Sequence, residues 1–140
     1  MPEERRLEFG ELEAGYDFPP SQYRLDSEVV SAYLKAVGDE SRLYQDEKLV
    51  PPLAVAAYAM AALSENIQLP SGTIHVSQEF EFRDLASAGE NLTSRARVSR
   101  KQSRGKLHLM DIELRVSNED QKIVLTGKTS FILPGQDDGR

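Results

Sequence analysis

The chain has no cysteine and only 2 histidines among its 140 residues. Without cysteine, a disulfide framework, a thiolate metal site and a cysteine nucleophile are all excluded. No cluster of His, Asp and Glu has the spacing of a metal site, so no metal and no cofactor is expected. Long hydrophobic runs are missing too: the longest uncharged apolar stretch, Leu49 to Leu63, falls short of the roughly 20 residues a membrane span needs. The opening MPEERRLEF carries charge but no apolar core, unlike a secretory signal. A soluble, cytoplasmic protein without a membrane partner is the expectation.

Positive charge is scarce. Lys and Arg number 17 against 23 Asp and Glu, a net charge of -6, and an acidic chain repels phosphate backbones, so no nucleic-acid partner is expected. The one dense basic stretch holds Arg95, Arg97, Arg100, Lys101, Arg104 and Lys106. It reads either as a solvated hairpin or as a cationic lip for a phosphate-bearing ligand such as coenzyme A, since guanidinium and ammonium groups pair well with phosphate.

Repeats and low-complexity linkers are absent, and the length suits one core. One domain over residues 7–134 is expected, with flexible ends at 1–6 and 135–140. Val29, Val30, Tyr33, Leu34 and Val37 share one helical face, opened by Asp26 or Ser27 as N-cap and stopped by Gly38. Pro51 to Leu63 predicts a second helix, with Leu53, Val55, Tyr58, Met60 and Leu63 among six alanines. Its prolines fit a first turn, and Pro70 is expected to end the segment. Being apolar all round, this helix should be buried on nearly every side.

From Thr73 the period becomes two. Ile74, Val76, Phe80 and Phe82 share a face that Gln78 interrupts. Leu92, Ala96 and Val98 form a further run, then Met110, Ile112, Leu114 and Val116, then Ile123, Leu125, Phe131 and Leu133. Short turns between these runs predict an antiparallel meander. A buried helix followed by such a sheet is solved by wrapping the sheet round the helix, an α+β hot-dog arrangement. An open sheet edge and helix flank would remain, so a dimer is expected.

The segment Gly38-Asp39-Glu40-Ser41-Arg42-Leu43-Tyr44-Gln45-Asp46 resembles the GDxNPLHxD hydration motif of the MaoC-like (R)-specific enoyl-thioester hydratases. Phe9 to Gly15, Leu69 to Gly72, Phe80 to Phe82 with Ala88 to Leu92, and Gly127 to Pro134 resemble further segments of that family in order. The resemblance implies a hot-dog protein acting on or binding acyl (enoyl) thioesters carried by coenzyme A or an acyl carrier. In the family an Asp and a His hold one water and share acid and base roles. Asp39 stands at the acid position and Tyr44 at the histidine position. A phenol titrates near pH 10 against about 6.5 for imidazole, so Tyr44 is a poor proton acceptor at neutral pH.

On the helix, Pro52 stands where the family has glycine and offers no N–H to an oxyanion hole. Ala57 stands where the family has a polar residue, and Pro52, Leu53 and Ala57 are the candidate substrate-binding residues. Tyr for His and Pro-Pro before the helix resemble the degenerate half of fused or heterodimeric MaoC-like dehydratases, whose partner supplies the dyad. The implied role is a non-catalytic subunit beside a catalytic MaoC-like partner. The alternatives are a stand-alone enoyl-CoA hydratase or thioesterase using Asp39 with Tyr44, and a non-catalytic acyl-CoA-binding homodimer. Ser41 and Ser64 lack a histidine partner or nucleophile elbow, Glu65 sits near the helix end, and His75 and His108 read as structural.

Overall fold

A computed structural model of the chain describes residues 6–135, so the ends expected to be flexible lie almost wholly outside the described residues. The chain runs through β1 (Leu7–Glu8), a short 3-10 turn (Phe9–Glu11), β2 (Ser21–Arg24), α1 (Ser27–Val37), α2 (Leu43–Asp46), β3 (Leu49–Val50) and α3 (Pro52–Asn66). Then come β4 (Ile67–Gln68), β5 (Ile74–Phe82), β6 (Ala86–Ser87), β7 (Asn91–Arg104), β8 (Leu107–Ser117) and β9 (Ile123–Pro134). The main sheet has five strands in the order β2-β7-β8-β9-β5, all neighbours antiparallel.

Local chemistry sets the boundaries of α1. Asp26 accepts a hydrogen bond from the Val29 N–H at 2.9 Å, and Gly38 closes the helix at φ 73, a left-handed conformation that glycine adopts without steric penalty. The central helix α3 begins on Pro52 but stops at Asn66, four residues short of the expected terminator Pro70. Tertiary pairing ends it: Ile67 and Gln68 form β4, a parallel partner to Leu7 and Glu8.

The strands β7, β8 and β9 form the expected meander, joined by a two-residue turn at Gly105 (φ 60) and Lys106 and by a loop organised by Asn118. The Asn118 Oδ1 accepts the N–H groups of Asp120 and Lys122, both at 3.0 Å. The first strand of the series departs from the meander. β5 pairs not with β7 but with β9, at the far edge, so the connection through β6 crosses the molecule. A bulge between His75 and Ser77 shifts the alternation, and Ile74 and Val76 are exposed instead of facing inward with Phe80.

The sheet curls over α3. Ala54, Val55, Ala56, Ala59 and Leu63 of the helix are buried against inward residues such as Leu92, Val98, Met110, Ile112, Leu114, Val116 and Leu125. The expectation that α3 is covered on nearly every side is corrected here: Leu53 is 60% and Tyr58 39% exposed, and Ala57 and Ala61 are exposed beside them. A curled sheet covers one side of a helix and leaves these residues accessible on the other.

The outer face of the sheet explains the high charged fraction. Arg97, Glu113, Lys128 and Glu79 stand directly opposite one another across four strands, alternating in sign. Asp111, almost buried, adds ion-pair contacts of 3.9 Å to Arg100 and 3.8 Å to Lys128. Exposed cross-strand pairs contribute only about 0.2–1 kcal/mol each, but they keep this face wet. Lys101 behaves differently from the other basic residues of its stretch. Its ammonium donates to the Phe9 and Leu12 carbonyls at 3.2 and 2.6 Å and lies 4.3 Å from the Phe9 ring centroid, clamping the N-terminal turn onto β7.

Replacing Lys101 with Met should therefore lower the unfolding free energy by about 2 kcal/mol, because charged hydrogen bonds are among the stronger polar contributions. Arg104→Met, at the exposed hairpin tip, should change it by less than about 0.5 kcal/mol. Urea denaturation of the two variants measures the difference.

Candidate functional site

The loop between α1 and α2 is built on side-chain to backbone bonds. The Asp39 N–H bonds the Leu34 carbonyl at 2.9 Å, and the exposed Asp39 carboxylate accepts the Ser41 N–H at 2.8 Å. Ser41 in turn accepts the Leu43 N–H at 3.3 Å at the start of α2. Such closures are what Asp and Ser do in turns, so one oxygen of Asp39 is already engaged by its own loop. Tyr44 lies on α2, half-buried, with its ring packed against the core cluster around Val50 and Ala54. Its hydroxyl has no hydrogen-bond partner among the described residues. Gln45 ties α2 to α1 through Ser31 at 3.3 Å.

This loop leads through β3 into the start of α3. The Ala54 and Val55 N–H groups both bond the Pro51 carbonyl, at 2.9 and 3.3 Å. Pro51 and Pro52 have no N–H, leaving Leu53 as the one first-turn donor without a backbone partner among the described residues. Pro52 is half-buried, whereas Leu53 and Ala57 are exposed. Leu53, Ala57, Met60 and Ser64 are spaced three or four apart and so share one flank of the helix. Met60 fixes where that flank points, because its Sδ lies 3.4 Å from the Thr129 hydroxyl of β9. The flank therefore opens toward β9 and β5.

On the sheet side, Phe80 and Phe82 of β5 pair with Gly127 and Leu125 of β9. Phe80 is half-buried and packs on both core clusters, while Phe82 is 44% exposed. Farther along, the fully buried Thr129 hydroxyl donates to the Gln78 Oε1 at 2.7 Å, and the Gln78 amide donates to the Glu79 and Lys128 carbonyls at 3.3 and 3.2 Å. With the amide so oriented, its oxygen faces the His75 Nε2 at 3.1 Å, which must carry the proton. His75 also stacks on Phe131 with centroids 5.1 Å apart. His108 contacts Ser103 at 2.7 Å and the Phe9 ring at 5.0 Å. Neither histidine has an acidic partner among the described residues.

Two further features escaped the sequence reading. Tyr23 on β2 makes a short hydrogen bond to Ser94, buried on β7, with the Tyr58 ring of α3 6.2 Å away. Burial raises the Tyr23 hydroxyl above its ordinary pKa of 10.0, and the Ser94 bond offsets part of that rise. The second is a groove of about 610 Å3 on the outer face of the sheet, lined by the charge ladder and by Arg95, Arg115, Glu81 and Asp17. None of Asp39, Tyr44, Pro52, Leu53 or Ala57 lines it, and its mixture of four cations and four anions fits no single ligand charge. Arg95 and Arg97, expected as part of a solvated hairpin or cationic lip, belong to this face. Among the described residues no group of three or more His, Asp and Glu could hold a metal, and no helix is long and apolar enough to cross a membrane.

A five-stranded antiparallel sheet curled over one central helix is a hot-dog fold, and solved structures share it. The (R)-hydratase PhaJ1 of Pseudomonas aeruginosa matches with a TM-score of 0.77 and 19% identity, over 91% of this chain and 85% of that one. The MaoC-like dehydratase from Rhodospirillum rubrum matches with a TM-score of 0.77 and 17% identity, over 93% and 98%. The HadBC (3R-hydroxyacyl-ACP dehydratase) complex from Mycobacterium tuberculosis contains a chain matching with a TM-score of 0.64 and 17% identity, over 85% and 96%. In sequence, the UPF0336 protein of Streptomyces avermitilis is 24% identical over 89% of this chain and 95% of its own length. The family described as "FAS1-like, dehydratase domain region" matches residues 13–127, and the chain belongs to that family. The expected MaoC-like relationship therefore holds.

The Tyr23 hydroxyl gives a pH-dependent readout of this packing. Its folded-state pKa is raised, so its contribution to stability is complete below the unfolded value of about 10 and is lost as pH rises through the folded value. Tyr23→Phe should flatten the alkaline side of the stability–pH curve and, by leaving the Ser94 hydroxyl unpaired, cost about 1–2 kcal/mol at neutral pH. Denaturation midpoints at neutral and strongly alkaline pH compare the two proteins.

Proposed function

We propose that this chain is a hydratase/dehydratase-family hot-dog subunit, folding as one domain over 7–134, that binds an acyl (enoyl) thioester. In this reading it pairs in the cytoplasm with a second hot-dog chain that supplies the catalytic residues. The observation that carries the reading is the unfinished side of the site. Leu53 and Ala57 of α3 are exposed, and the nine-residue edge strand β5 exposes Ile74, Val76 and Phe82, at 57%, 48% and 44%. An edge of that length with apolar side chains invites pairing with another strand, and a second hot-dog chain would cover strand edge and helix flank together.

The side chains at the family's catalytic positions support a non-catalytic role. Tyr44 is buried on one side and is a weak base at neutral pH. The Asp39 carboxylate closes its own turn, and Pro51 and Pro52 leave the helix start with a single free donor, the Leu53 N–H. An oxyanion site built there would offer one donor where such sites use several. The thioester is accordingly held by Leu53 and by the apolar flank through Ala57, while proton transfer falls to the partner. The HadBC assembly, a two-chain dehydratase of this fold, is the architectural precedent.

Purified alone, the protein should not hydrate crotonyl-CoA or longer 2-enoyl-CoA substrates. Mixed with a catalytic hot-dog partner it should form a stable complex and raise that partner's turnover. Asp39→Asn should then leave the turnover of the complex within about threefold, whereas turnover by the chain alone, abolished by Asp39→Asn, would establish it as an enzyme in its own right. Failure to bind any catalytic hot-dog chain, with a stable self-dimer that binds acyl-CoA, would replace the pairing with a homodimer.

A further inference from the structure

The open flank is not uniform along its length. It begins at the α3 start with Leu53 and runs past Ala57 to Met60, which packs against the same core cluster as Phe80. Phe80 occupies this place because β9 carries glycine beneath it. A Cβ on Gly127 would lie 2.9 Å from the Phe80 Cδ1 and 3.0 Å from the Glu79 carbonyl oxygen, so no other residue fits there without moving the ring. Beyond Phe80 the surface changes character, from apolar to the Thr129–Gln78–His75 hydrogen-bond chain.

We propose that Phe80, seated on Gly127, is the specificity-determining side chain that limits how far an acyl tail can run between α3 and β5. The inference rests on the acyl-thioester reading above and adds the boundary of that site. An aromatic ring in contact with both core clusters is a fixed wall, unlike the neighbouring Met60, whose thioether can adapt. Past the wall, each methylene would lie against amide and hydroxyl groups and lose the benefit of burial, about 0.8 kcal/mol per CH2. The seven-residue step from Leu53, which holds the thioester, to Met60 rises about 10 Å along α3, room for a tail of octanoyl size and too short for palmitoyl.

The test is calorimetric titration of the full chain, alone and with its catalytic partner, using butyryl-, octanoyl- and palmitoyl-CoA as probes. Octanoyl-CoA should bind at least about tenfold more tightly than palmitoyl-CoA. Phe80→Leu and Phe80→Ala should bring palmitoyl-CoA within about threefold of octanoyl-CoA, and Gly127→Ala, which pushes the ring outward, should shift preference toward butyryl-CoA. The conservative Phe80→Leu guards against a variant that fails to fold, with circular dichroism as the check. If the folded variants bind the probes in the wild-type order, or the wild type binds all three alike, Phe80 is not the wall although the thioester reading survives. If the wild type binds none of them in either assembly, the thioester reading itself falls, and the wall with it.

Discussion

The alanines of α3 set how closely the sheet can lie on the helix. Ala54, Ala56 and Ala59 are buried at the helix–sheet contact, and their single methyl groups let strand side chains reach the helix backbone. The larger inward residues of β7, β8 and β9 then interdigitate around it at the density of a protein interior. Since a sheet buries its own apolar face only while it follows the helix, the curl of the five strands, the two core clusters and the placement of every loop depend on this contact.

The same contact leaves one side of α3 bare. The sheet ends at β2 on one margin and at β5 on the other, and the second margin stops level with the Leu53–Ala57–Met60 flank. Tyr23 and Tyr58 line the β2 side, where a half-buried phenol and the Ser94 hydroxyl satisfy each other. On the β5 side, Phe80 and Phe82 extend the apolar surface without closing it. In the proposed function, substrate site and pairing edge come from one geometric shortfall, so binding and assembly are coupled: a chain covering β5 would also complete the wall of the site.

Much of this was legible residue by residue, and what was missed shares a physical cause. The helix α1, its Asp26 cap and its Gly38 stop follow from bonds between neighbours in sequence, as does the loop that carries Asp39 and Tyr44. The burial of α3 falls short of the expectation because an all-apolar sequence says that a helix needs covering without saying by which chain. Pro70 predicts a later helix end, whereas pairing of Ile67 and Gln68 with Leu7 and Glu8 intervenes earlier. The period of β5 predicts the first strand of a meander, but its long connection carries it to the edge beside β9, and its bulge turns Ile74 and Val76 outward.

Sequence by itself determined the fold class, the periods of β7, β8 and β9, and the absence of cysteine chemistry. Each rests on composition or on spacing along the chain, which folding does not alter. Only the tertiary structure decided that Gly127 holds Phe80, that Thr129 is bound to Gln78 across 51 positions and that Tyr23 meets Ser94 across 71. Those contacts depend on strand register and order, set when the whole sheet closes on the helix and not by any local run of residues.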